Sequence, residues 1–114
     1  MSIMDRSKNT TVRALIEFLP TGEKEGRRTP INCKLSYYRP DHNFPWLKDN
    51  EMYMGQVSFT DDRELLFPGD SAEVIIGFCS YPELDAKLKP GITWKVKEGM
   101  RTVGIGKLIE IISM

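Results

Sequence analysis

Histidine occurs once in this chain of 114 residues and cysteine only twice. That scarcity argues against a zinc site of the usual kind, which draws most of its ligands from those two side chains. Cys33 and Cys79 lie far apart and form no CxxC-type pair. A disulfide or thiol site is one reading of them; half-buried reduced thiols in strands is the reading their small apolar character favours. An excess of one charge is also missing. Sixteen basic residues face sixteen acidic ones, so the molecule lacks the positive field of proteins that bind polyanions without sequence preference. Residues 1–11 are polar and lack the apolar run of a signal peptide. No stretch approaches the ~20 apolar residues of a membrane-spanning helix. We therefore expect a cytoplasmic protein with no membrane partner. A phosphate loop is absent too: residues 99–107 have the wrong glycine–lysine spacing, and Leu108 stands where Ser or Thr would be needed. Gly104-Ile105-Gly106 sits inside a strand pattern with no helix opening after it, so it is not a dinucleotide fingerprint. No nucleotide, cofactor or metal is expected.

What the chain does have is alternation. With 40% hydrophobic and 28% charged residues, it has the composition of an ordinary globular domain, and its length suits a single core. Val12, Ala14, Ile16 and Phe18 fall on one face of a period-two pattern, with Arg13 and Glu17 on the other. Tyr53, Gly55, Val57 and Phe59 repeat it, as do Ala72, Val74, Ile76 and Phe78, and then Ile92, Trp94 and Val96. Residues 101–112 place Val103, Ile105, Ile109 and Ile111 on one side; Gly104 and Gly106 occupy the other, as if that face were crowded. Turns mark the boundaries at Pro20-Thr21-Gly22, Asp61-Asp62 and Pro68-Gly69-Asp70. Residues 81–89 read as one helical turn or an irregular loop. The expected organisation is a flexible arm over residues 1–11 and one all-β domain over 12–114, either a sandwich or a closed barrel.

Ordered motifs narrow this further. Gly26-Arg27-Arg28-Thr29-Pro30 resembles a G-R-H-T-P loop, and Tyr38-Arg39-Pro40-Asp41 resembles Y-R-P-Q. Phe67-Pro68-Gly69-Asp70 resembles M-P-G-D, and residues 97–106, Lys-Glu-Gly-Met-Arg-Thr-Val-Gly-Ile-Gly, resemble R-E-G-G-R-T-V-G-A-G. In that order these are motifs of the C-terminal domain of translation elongation factor Tu, and the resemblance covers about residues 11–112. It implies a closed six-stranded antiparallel barrel with Greek-key connections. The factor's GTPase domain and middle barrel have no counterpart in this sequence, so GTP hydrolysis is excluded and a stand-alone barrel is expected.

In that family the barrel contacts the T-stem of aminoacyl-tRNA, the nucleotide exchange factor and the GTPase domain. The resemblance carries an RNA- or partner-binding role onto Arg27, Arg28 and Thr29, and the guanidinium forks of the two arginines suit phosphate. It does the same for Arg39, Glu98, Gly99 and Arg101. Departures from the pattern weaken the tRNA expectation. Asp41 puts a carboxylate where the family has glutamine, Met54 replaces a threonine, and Met100 replaces a glycine that permits close approach. Residues 42–50 form a longer loop than the family's and carry Phe44, Pro45, Trp46 and Leu47. Trp46 has two readings, a partner anchor or a cap on the open end of the barrel. No catalytic set stands out: Asp61 and Asp62 lie on a turn, Glu83 and Asp85 in a charged segment, and the lone His42 in the variable loop. The expectation is a non-catalytic interaction module related to translation, with a protein as first partner and tRNA as a weakened second. The alternative is a barrel reused for an unrelated protein, in an adaptor, toxin-neutralising or self-assembling role.

Overall fold

The computed structural model describes residues 5–34 and 37–114, with side chains from Asn9 onward. Six strands close into an antiparallel barrel in the order β1-β6-β4-β3-β7-β8. They are β1 (Asp5–Phe18), β3 (Asp41–Asn43), β4 (Tyr53–Phe59), β6 (Ser71–Ser80), β7 (Thr93–Glu98) and β8 (Arg101–Ser113). Between them run β2 (Ile31–Asn32) and β5 (Leu65–Leu66), paired as a small separate flap, and one short helix, α1 (Pro82–Lys87). Chain-successive β3, β4 and β6 lie side by side, and β7 then returns beside β3, which is the Greek-key arrangement. β1 completes the barrel by pairing with β6 on one side and β8 on the other.

The alternation explains the core. Val12, Ala14, Ile16 and Phe18 are buried, as are Ala72, Val74, Ile76 and Phe78, with Val57, Trp94 and Val96 completing the interior. Period-two residues share one face of a strand, and closing the barrel seals that face from water. Cys79 lies in β6 and Cys33 just beyond β2, both as free, half-buried thiols.

Two expectations are corrected. The first is the arm. β1 begins at Asp5, not at residue 12, because β6 runs on to Ser80 and offers pairing partners for Asp5 and Asn9. Apolar alternation misses this extension because its inward residue is polar: the fully buried Thr10 donates its hydroxyl to Asp85 of α1 at 2.5 Å. Ser80 donates to the other oxygen of the same carboxylate at 2.6 Å, so α1 is fastened to both strands. Residues 1–4 of the expected arm lie outside the described residues. The second concerns which residues of β8 share a face: Val103, grouped with Ile105 and Ile109, is buried with Gly104, Gly106 and Leu108, while Ile105 and Ile109 are exposed; the crowding of the glycine side is as expected. The Trp94 indole lies against Gly106, and a Cβ there would stand 2.6 Å from the ring. The glycine face is thus the inner face, because a large ring from β7 needs the space.

Candidate functional site

The expected binding residues fall in three places: one end of the barrel, the opposite end, and the side wall. At the first end, residues 19–30 connect β1 to β2 without regular structure, so their carbonyls need donors from elsewhere. Arg101, just past the β7–β8 turn, supplies them. Its Nε–H donates to the Gly26 carbonyl at 2.5 Å, its Nη2 to Gly22 and Glu25 at 2.6 and 3.0 Å, and its Nη1 to Glu23 at 3.3 Å. Arginine's planar fork of five N–H donors can do this; lysine's point charge cannot. The loop closes through Gly26, whose N–H donates to the Thr102 carbonyl at 2.9 Å. Gly26 has φ 78°, and a Cβ there would lie 2.1 Å from the Pro20 carbonyl oxygen, so no other residue fits.

Arg27 is engaged in the same assembly. It pairs with the Glu98 carboxylate, donates from Nε to the Thr29 carbonyl at 3.1 Å, and lies over the Tyr38 ring at 5.7 Å. The Tyr38 hydroxyl donates to Glu98 at 2.8 Å. Burial, reinforced by the adjacent Glu98 charge, pushes the Tyr38 phenol well above its ordinary pKa, so it remains a donor. Arg27, Glu98 and Arg101 therefore hold one another and the loop. Arg28 and Thr29 point outward and are exposed, and Gly99 forms the exposed β7–β8 turn beside Met100, which is 71% exposed.

The opposite end is closed by rings. Phe44 is fully buried and stacks between Trp46 and Trp94, with centroids 4.8 and 4.7 Å away. Trp46 donates its indole N–H to the Tyr53 hydroxyl at 3.3 Å, and the Lys87 ammonium of α1 sits 5.5 Å from its ring centre. Trp46 thus has the geometry of a cap. Beneath it, His42 is fully buried. The Trp94 N–H, which can only donate, reaches His42 Nδ1 at 3.0 Å, so Nε2 carries the proton and donates to the Gly55 carbonyl at 3.1 Å. Burial holds His42 down to about 4, offset in part by the Gly55 bond. The only imidazole of the chain is therefore a neutral, satisfied core residue.

The side wall holds a feature that the sequence did not announce. Across the outer faces of β1, β6 and β4 lies an open concavity of about 670 Å³. Its floor is Gly77, which pairs in register with Thr11 on one side and Gln56 on the other. Among the described residues no atom lies within 4 Å of where a Gly77 Cβ would stand, so the missing side chain leaves a notch. Asn9 and Ser58 extend the polar walls, and Arg39 stands at the rim beside Met54, which is 57% exposed. Asp41, two residues on, is half-buried and lies in register with Met54 and Lys97, outside the lining of the concavity. Lys97 is itself only 7% exposed.

Of the expected set, then, Arg27, Glu98 and Arg101 come together as an internal network, Arg28, Thr29 and Gly99 form the exposed rim of the same end, and Arg39 belongs to the side-wall concavity. Thr11, Gln56 and Gly77 escaped the sequence reading. The available signal was the glycine itself, on the outward face of a β-branched strand. Among the described residues, no group of three or more His, Cys, Asp or Glu side chains is placed to hold a metal ion, and no helix is long and apolar enough to cross a membrane. No protein-family model matches the chain.

Proposed function

We propose that this chain is a non-catalytic, cytoplasmic binding module of the elongation factor Tu C-terminal kind, and that its first partner is a protein. The observation that carries this reading is the engagement of Arg27 and Arg101. Both guanidinium groups, which the resemblance would give to an RNA backbone, are taken up by Glu98 and by the carbonyls of residues 22–29. A phosphate would have to displace several charge-assisted hydrogen bonds to recruit them, each worth about 1.5–3 kcal/mol. Arg28, Thr29 and Arg39 are left for a weakened tRNA contact. The side-wall concavity, by contrast, sets a single cation, Arg39, among uncharged groups of the described residues. Burial of the only imidazole leaves the hydroxyls and thiols without a histidine base, which supports a binding role over catalysis.

Affinity capture of the intact protein from its native extract, with and without ribonuclease, tests this reading. A protein recovered equally in both arms is the expected result. Recovery that ribonuclease abolishes would replace it with RNA binding, and recovery of no translation component would remove the link to the factor. A second reading, a barrel reused for an unrelated protein, is favoured by the exposed apolar surfaces of Met54 and Met100. Capture of a single protein outside translation, unaffected by ribonuclease, would decide for it.

A further inference from the structure

The side-wall concavity has a chemistry of its own. Strands lie roughly 4.8 Å apart and rise roughly 6.7 Å per two residues. The row Thr11–Gly77–Gln56 therefore spans roughly 10 Å, and Ile75–Gly77–Cys79 along β6 roughly 13 Å. That footprint takes one large side chain and its immediate flanks. Among the described residues no carboxylate lines it, although the chain has as many acids as bases, and Arg39 is the one charged group of that lining. Among the described residues Arg39 makes no ion pair, and Thr11, Gln56 and Ser58 make no side-chain hydrogen bond. These groups are open to a ligand. The apolar contribution comes from Met54, Ile75, Cys79 and the ring of Tyr81, which also packs on Tyr53. Methionine at the rim adds an adaptable surface suited to a ring.

We propose that this groove is the docking site of the protein partner inferred above, and that it receives one aromatic or large aliphatic side chain over Gly77, with an adjacent Asp or Glu paired to Arg39. The assignment rests on the binding-module reading and gives it a location and a charge. Desolvated aromatic anchors flanked by charge pairs are how small interfaces gain most of their affinity. The polar row supplies hydrogen bonds to the partner's backbone on either side of the anchor. Gly77 has an ordinary strand conformation, since it is not among the positive-φ glycines, so the notch can be filled without strain in the barrel.

The test is an NMR titration of the whole protein with blocked tripeptides, acetyl-Gly-Trp-Asp-amide against acetyl-Gly-Trp-Lys-amide, with adenosine monophosphate as a third arm. The acidic peptide is expected to shift the backbone resonances of Thr11, Gln56 and Gly77, and the basic one to leave them in place. Gly77→Ile should abolish the shifts with an unchanged melting temperature, and Arg39→Glu should weaken binding by roughly tenfold or more. Silence at Gly77 with the acidic peptide, or equal shifts with both peptides, overturns the proposal. Shifts with the nucleotide alone overturn it in favour of a nucleotide site. If Gly77→Ile still captures the same protein partner from extract, the groove assignment falls while the binding-module reading stands.

Discussion

At the end of the barrel where residues 19–30 cross, closure depends on one arginine bonding four carbonyls and another holding a carboxylate that also accepts from a tyrosine. At the opposite end, closure depends on Phe44 stacked between two indoles, with an imidazole sealed beneath. Both ends solve one problem, a barrel interior that would otherwise open to water, but the solutions behave differently. Stacked rings gain from excluded water and geometry, do not titrate, and ignore salt. Charged hydrogen bonds at a half-exposed rim are directional, leave loop backbone near solvent, and weaken with ionic strength. The aromatic end should therefore carry more stability, and the polar end should be the part that opens first.

The largest effect is expected at the aromatic end. Phe44→Ala removes a fully buried ring and should cost about 3–5 kcal/mol in urea unfolding. A loss below about 1 kcal/mol would mean the stack is decoration and the comparison fails. Next comes acid. The His42 pKa is near 4 when folded against about 6.5 when unfolded, so the unfolded chain binds the extra proton and stability falls as pH drops through that window. The loss attributable to His42 is roughly 3 kcal/mol by pH 4, at about 1.4 kcal/mol per pKa unit. Because carboxylates also titrate there, the measurement is the difference in the pH slope of unfolding free energy between the natural protein and His42→Gln; equal slopes would refute it. The smallest effect belongs to the polar end. Arg101→Ala should cost about 2 kcal/mol, and the costs should differ in character from Phe44→Ala. Amide hydrogen exchange should accelerate at Gly26, while amides of β6 keep their protection. Uniform acceleration across the barrel would show that the loop is not a separate opening unit.

Legibility in the sequence followed the length and exposure of each element. The inner faces of β1, β6 and β7 could be read directly, because strands of six or more residues with one dry face must alternate. β2, β3 and β5 have two or three residues each, too few for any period to show. In β8 the crowded glycine side was legible, but the face of its apolar residues was not, because Ile105 and Ile109 lie outward while Val103 and Leu108 are buried. The binding residues were only partly legible. Arg39 was anticipated from a motif, but its neighbours Thr11, Gln56 and Gly77 come from strands distant in sequence; Gly77 alone carries a local signal, and nothing local distinguishes Thr11 and Gln56 from ordinary outward residues.

Arg27 and Arg28 set out the division between sequence and structure. They are adjacent and chemically identical, and the sequence alone gives them the same role. It determined the all-β architecture and the dry faces of the long strands, since each follows from periodicity. Which arginine is engaged and which is free was decided only when β7 brought Glu98 beneath the loop. The notch over Gly77 likewise exists only because β1 and β4 flank β6. Contacts between distant segments have no period, and so only the closed barrel could place them.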